Sequence, residues 1–151
     1  MIPPPSFRHQ AVVGNLFGAL RDWVRAAPGR GMVFDSPIDV LLSDTDRVQP
    51  DVGWWASGVD LDVQPAPPPD LAVEVLSSST RRRDVGDKRL AYERAGVPEL
   101  WLVDPPERAV TALRRSGATG YDIIEKRAGD EAVETPLMPG LAVPVGPLFP
   151  A

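Results

Sequence analysis

The sequence has no cysteine, so neither a disulfide bond nor a thiolate metal site can form. No apolar run approaches the roughly 20 residues that a membrane-spanning helix requires. The first residues, "MIPPPSFRHQ", lack the basic region and the apolar core of a signal peptide. Together these absences favour a cytoplasmic protein without a membrane partner.

An excess of positive charge is also missing, because 16 Lys and Arg stand against 21 Asp and Glu, for a net charge of −5. This balance argues against a protein that coats nucleic acid by bulk attraction, although it permits a local basic patch beside an acidic metal site. With 151 residues, 43% of them hydrophobic, the chain is expected to form one domain, 1–151, around one core.

Prolines and glycines, 18 and 13 in number, divide the chain into short, sharply bounded elements. Ser6 is a candidate N-cap for a helix whose inner positions recur at helical spacing: His9, Val13, Leu16, Phe17, Leu20 and Val24. A second helix is predicted to begin at Ser79 or Thr80 and to run to Ala95, before Gly96 and Pro98. Extended segments are predicted over 32–43, 48–56, 70–77, 99–105, 109–115 and 121–127. The pattern predicts an α/β or α+β fold with a central mixed β-sheet flanked by helices.

The most apolar of these strands, "DLAVEVLS" (70–77), carries a carboxylate at its centre, Glu74. Side chains alternate along a strand, so Glu74 shares its face with Asp70 and Ala72 and not with Val73. Asp51 belongs to the preceding strand and can approach Glu74 if the two strands pair. Two neighbouring carboxylates repel each other unless a hard divalent cation such as Mg²⁺ lies between them. The alternative is a glutamate that pairs with an arginine or caps a backbone group.

The second predicted helix places Val85, Lys88, Tyr92 and Ala95 on one face. Lys88 is therefore expected to face the sheet near the end of the Glu74 strand. It either extends past the edge of the core or pairs with the carboxylates. Two acids, a metal and a lysine suit phosphodiester hydrolysis, because the metal acidifies a bound water and the cations stabilise charge on the phosphate.

Three segments resemble the Uma2 family (DUF820) of restriction-endonuclease-like proteins over nearly the whole chain: "PPPSFRHQAVVGNLFGAL", "QPDVGWW" and "PPDLAVEVLSSSTRRRDVGDKRLAYERAGVPELWLVDP". The resemblance implies the PD-(D/E)XK nuclease fold, with Asp51 and Glu74 binding Mg²⁺ (or Mn²⁺). The family's superfamily places its lysine two residues after the glutamate, where this chain has Leu76, so the resemblance assigns that role to Lys88. Asp70 is the second choice for the partner acid, since it lies roughly 13 Å along the strand from Glu74.

Other residues admit two interpretations each. His9, the only histidine, either packs on the first helix or approaches the site, as the family pattern suggests; packing is preferred. The cluster Arg81, Arg82 and Arg83 either contacts phosphates or is a solvated helix start. Trp54 and Trp55 are predicted to point to opposite faces. One is expected to lie in the core; the other either packs in the core or an interface, which is preferred, or covers a partner or stacks on a base. Trp101 is predicted to lie in the core.

Two hypotheses of function follow from the sequence. The first is a Mg²⁺-dependent endonuclease that cuts DNA by attack of a metal-activated water, with Asp51, Glu74 and Lys88 as its catalytic residues. The second is a catalytically inactive scaffold of the same fold that binds a protein or nucleic acid. A homodimer is a further option, because exposed strand edges invite self-association.

Overall fold

The computed structural model describes residues 5–77 and 83–151. Its elements are α1 (Phe7–Arg25), β1 (Met32–Asp35), β2 (Val40–Leu41), β3 (Arg47–Val48), β4 (Val52–Trp55), β5 (Leu71–Val75), α2 (Arg83–Arg94), β6 (Glu99–Asp104), β7 (Ala109–Arg114), β8 (Ile123–Ala128), β9 (Ala132–Glu134), β10 (Ala142–Pro144) and a 3₁₀ turn, Gly146–Leu148. Six strands form one mixed sheet in the order β1-β4-β5-β6-β7-β8, and two small two-stranded sheets accompany it. The predicted fold class, a mixed sheet flanked by helices, is confirmed.

Helix α1 begins as the sequence predicts, because the Ser6 hydroxyl accepts a hydrogen bond from the His9 backbone N–H at 3.1 Å. Its buried side chains are Val12, Val13, Leu16 and Leu20. Val12 was not among the predicted inner positions; it widens the apolar stripe by which α1 packs on the sheet. No helix in the described ranges is both long enough and apolar enough to span a bilayer.

The strand that follows Asp51 and the strand of Glu74 are neighbours, which is the condition under which these two acids were expected to approach each other. Strand β4 runs antiparallel to β5, with Val52 opposite Val73. Strand β5 runs parallel to β6, and α2 makes the crossover between them, so 71–104 is a βαβ unit. Two predicted strands are each divided at a proline, 32–43 near Pro37 and 48–56 at Pro50, because proline cannot donate to a β ladder.

Helix α2 ends at Arg94, one residue before the predicted end at Ala95. Gly96 adopts a left-handed conformation with φ +77°, and the N–H of Val97 donates to the carbonyl of Tyr92 at 3.1 Å. The predicted caps, Ser79 and Thr80, lie outside the described residues. These contacts fix the C-terminal end of α2 before the chain enters β6.

Each face of the sheet has its own buried layer. Helix α1, β9 and β10 cover one face together with Val73, Trp54 and Trp101, while α2 covers the other with Ala72 and Trp55. The two adjacent tryptophans thus point to opposite faces as predicted, and each is 3% exposed. Neither ring is available to stack on a base, so the stacking alternative, which concerned one of the two, is wrong.

Candidate active site

Glu74 lies in the middle of the sheet and faces α2, because β5 directs Leu71, Val73 and Val75 to the opposite layer. Its side chain is only 7% exposed. One oxygen, Oε1, accepts a hydrogen bond of 2.8 Å from the Tyr92 hydroxyl. The other, Oε2, lies 3.4 Å from the Lys88 ammonium. Both partners come from α2, which confirms the expected direction of its Lys88 face.

Asp51 immediately precedes β4, and the backbone holds it beside the end of β5. Its N–H donates to the Val73 carbonyl at 3.0 Å, and its own carbonyl accepts from the Ser36 N–H at 2.9 Å. The carboxylate oxygen Oδ2 accepts a hydrogen bond of 2.7 Å from the Val75 N–H. Asp51 is therefore hydrogen-bonded to β5, the strand that carries Glu74, through both its backbone and its side chain.

His9 approaches the same place from α1, on the opposite side of the sheet from α2. Its Nε2 lies 3.2 Å from the Val75 carbonyl oxygen and 3.7 Å from Asp51 Oδ1. Its Nδ1 lies 3.1 Å from the side-chain oxygen of Gln10. The histidine therefore contacts the end of β5 beside Asp51, and a role for it beyond packing stays a prediction.

The two carboxylates share one pattern of hydrogen bonding. Each commits one oxygen to a short bond, Asp51 Oδ2 to the Val75 N–H and Glu74 Oε1 to Tyr92. The second oxygen of each acid has only a longer contact with a nitrogen among the described residues. Asp51 Oδ1 lies 3.7 Å from His9 Nε2, and Glu74 Oε2 lies 3.4 Å from Lys88 Nζ. These second oxygens are the ones that a further ligand could engage.

The protonation of the acids reflects their burial. Burial raises the pKa of Glu74 to about 7; the Lys88 charge opposes this rise, and the Asp51 charge adds to it. Burial also raises the pKa of Asp51, against the hydrogen bond from Val75 and the charges of His9 and Lys88. Burial and the neighbouring Glu74 charge hold the pKa of Tyr92 well above its usual value, so its hydroxyl remains a donor. A carboxyl group with a pKa raised as far as that of Glu74 is typical of functional sites.

The set of oxygen atoms suits a hard divalent cation. Over 5–77 and 83–151, no three His, Cys, Asp or Glu side chains form a cluster that could hold a metal ion. A metal would therefore rely on two carboxylates, the Val75 carbonyl oxygen and water. Mg²⁺ commonly binds in this way, through one or two carboxylates with several retained waters. The residues fit a magnesium-type ion and do not form a complete protein cage.

The remaining predicted residues lie elsewhere. Asp70 stands at the opposite end of β5, where its Oδ2 accepts a hydrogen bond of 2.7 Å from the Ala56 N–H. It closes the turn after β4 and is not brought to Glu74. Arg81 and Arg82 lie outside the described residues, and Arg83 opens α2 with its side chain undescribed.

Sequence reasoning missed two features. Tyr92 was recognised only as a member of the inner face of α2, although its position one turn after Lys88 indicated that it could reach the same carboxylate. Glu99 is fully buried on the α1 side of the sheet. It accepts hydrogen bonds from Arg114 at 2.8 Å and Thr135 at 2.7 Å, and from Trp101. Because both of its carboxylate oxygens accept hydrogen bonds from these partners, Glu99 has a structural role. No local pattern in 99–104 indicated this role.

Comparison with known proteins identifies a family and a shared fold. The model of a family described as "Uma2: Putative restriction endonuclease" matches residues 1–146. A crystal structure described as "a putative nuclease belonging to DUF820", from Anabaena variabilis, aligns with a TM-score of 0.78 and 22% sequence identity, over 97% of this chain and 83% of that chain. At that identity the structural likeness shows a shared fold. Comparison with curated proteins gives no significant match.

Proposed function

Because the chain belongs to the Uma2 family, we propose that it is a metal-dependent endonuclease that hydrolyses phosphodiester bonds, with DNA as its substrate and Mg²⁺ (or Mn²⁺) as its cofactor. One observation carries the proposal. At the end of β5, the buried Glu74 and the partly buried Asp51 each keep one carboxylate oxygen free of short hydrogen bonds, and Lys88 approaches the one on Glu74.

The metal would be held by Asp51 Oδ1, Glu74 Oε2 and the Val75 carbonyl oxygen. Asp51 Oδ1 and the Val75 carbonyl oxygen both lie beside His9 Nε2, at 3.7 and 3.2 Å, and Glu74 is the residue before Val75 in β5. A bound Mg²⁺ would lower the pKa of a water molecule and neutralise charge on the scissile phosphate. The short bonds from Val75 and Tyr92 to the other carboxylate oxygens keep both acids oriented before any ligand arrives.

Lys88 acts from the α2 side of the site. Its side chain is 42% exposed, so its ammonium can contact both Glu74 and a substrate in solvent. It orients the attacking water or stabilises the negative charge that develops on the phosphate. His9 acts from the α1 side. If its Nε2 carries the proton, this N–H donates a hydrogen bond to the Val75 carbonyl and lies close enough to Asp51 to help position its carboxylate.

Substrate binding is assigned to the arginine cluster Arg81, Arg82 and Arg83, which lies a few residues beyond the end of β5 in the chain. Arginine binds phosphate oxygens through paired hydrogen bonds, so a local cluster can position DNA despite the net charge of −5. The cluster's contacts, a cytoplasmic location and a homodimer remain predictions.

The test is plasmid nicking by the purified protein with Mg²⁺ or Mn²⁺ and with chelator. We expect metal-dependent cutting that Glu74→Gln abolishes while circular dichroism stays unchanged. Asp70→Asn is the matched control, because it neutralises an acid on the same face of β5 whose hydrogen bond to Ala56 the amide oxygen can still accept. Absence of cutting and of metal binding would reject the nuclease and favour the inactive scaffold.

A further inference from the structure

Two tyrosines are buried in the layer between α2 and the sheet, and only one of them contacts the site. Tyr92 is fully buried, and its hydroxyl donates to Glu74 Oε1 at 2.8 Å. Its ring belongs to the same buried cluster as Trp55 and Leu100, so it cannot turn away without disrupting that layer. The hydroxyl therefore keeps Oε1 directed into the protein.

Glu74 is consequently left with one oxygen for a ligand. Its side chain is 7% exposed, and Oε2 is the oxygen that faces the partly exposed Lys88. We propose that Tyr92 is a positioning residue that restricts Glu74 to single-oxygen metal ligation and thereby makes the site selective for small octahedral ions over Ca²⁺. This inference rests on the proposed function, in which Glu74 is a metal ligand.

The selectivity follows from the different demands of the two ions. Mg²⁺ requires near-ideal octahedral geometry at about 2.0–2.1 Å and retains waters, so one oxygen from each acid suffices. Ca²⁺ takes six to eight oxygens and often binds both oxygens of a glutamate. For Glu74 to present both oxygens to one ion, its carboxylate would have to turn Oε1 away from Tyr92, which would leave a buried hydroxyl without a partner.

Tyr121 provides a matched control. It is 6% exposed and belongs to the same buried cluster as Tyr92. Its hydroxyl has no hydrogen-bond partner among the described residues. Tyr121→Phe therefore removes the same atom type from the same layer without changing a contact of Glu74.

The experiment measures Mn²⁺ and Ca²⁺ binding by calorimetry on wild type, Tyr92→Phe and Tyr121→Phe, with Mn²⁺ as the spectroscopic substitute for Mg²⁺. We expect Tyr121→Phe to match wild type. In Tyr92→Phe, Mn²⁺ affinity should fall about 10–100-fold, the usual effect of losing the partner of a metal ligand. Ca²⁺ affinity should fall less or rise, so the preference for Mn²⁺ narrows. An unchanged ratio of Mn²⁺ to Ca²⁺ affinity, whether both affinities fall equally or neither changes, would overturn the inference. A purely structural tyrosine would leave this ratio unchanged.

A measurement on the wild type covers the case in which Tyr92→Phe does not fold. Infrared difference spectra, wild type against Glu74→Gln, report whether the Glu74 carboxylate binds Mn²⁺ through one oxygen or two. A single-oxygen spectrum supports the inference, and a two-oxygen spectrum overturns it while leaving the nuclease proposal intact. If wild type binds neither ion, the proposed function fails and this inference fails with it.

Discussion

Replacing Glu74 by glutamine should stabilise the protein more at pH 8 than at pH 5. Burial raises the pKa of this carboxyl from its usual 4.5 to about 7, so the folded protein disfavours the ionised form. Below pH 4.5 the group is protonated in both the folded and unfolded states, and its ionisation costs nothing. Between pH 4.5 and about 7 the unfolded chain has released this proton while the folded protein still holds it, so stability falls steadily as the pH rises. Above about 7 the group is ionised in both states, and the loss is complete.

The size of this loss follows from the pKa. A rise from 4.5 to about 7 corresponds to about 3 kcal/mol of unfolding free energy, since each pKa unit is worth about 1.4 kcal/mol. Glutamine stays neutral and can still accept the hydrogen bond from Tyr92. The difference in unfolding free energy between the variant and wild type should therefore grow by about 2–3 kcal/mol between pH 5 and pH 8.

The assay is urea unfolding at both pH values in the presence of chelator, with Asp70→Asn as the control. Asp70 has one short bond at the other end of β5, so its variant should show no comparable growth. A difference between Glu74→Gln and wild type that does not change with pH would refute the reasoning. Mg²⁺ at about 100 times its dissociation constant should restore about 2.7 kcal/mol to wild type at pH 8 and little to the variant.

Three further changes have distinct expected outcomes. Lys88→Met should lower the single-turnover cleavage rate roughly 100-fold or more with circular dichroism unchanged; an undiminished rate would remove Lys88 from the mechanism. Arg114→Met should lower the unfolding free energy in urea by about 3 kcal/mol, because it strips the fully buried Glu99 of its cation; a loss below about 1 kcal/mol would contradict this. Gly31→Ala should lower the melting temperature more than Gly29→Ala. Both glycines have positive φ, but only a methyl group at Gly31 would collide with the backbone carbonyls of Trp55 and Ala56. Equal decreases would contradict the steric argument.

Much of the site could be predicted because it depends on directions within single elements. The alternation along 70–77 separates Glu74 from Val73, and the helical period places Lys88 and Tyr92 on one face. These directions follow from backbone geometry over a few residues. The order of strand, helix and strand likewise required the parallel crossover that the fold contains.

The rest depended on distances between elements far apart in the chain. His9 reaches the Val75 carbonyl only because α1 packs across the face of the sheet that α2 leaves open, and Glu99 meets Arg114 and Thr135 only after β7 and the turn following β9 are in place. The sequence by itself determined which side chains could face a shared site. The tertiary structure decided which of them meet, because packing is a property of the whole chain, whereas side-chain alternation is local.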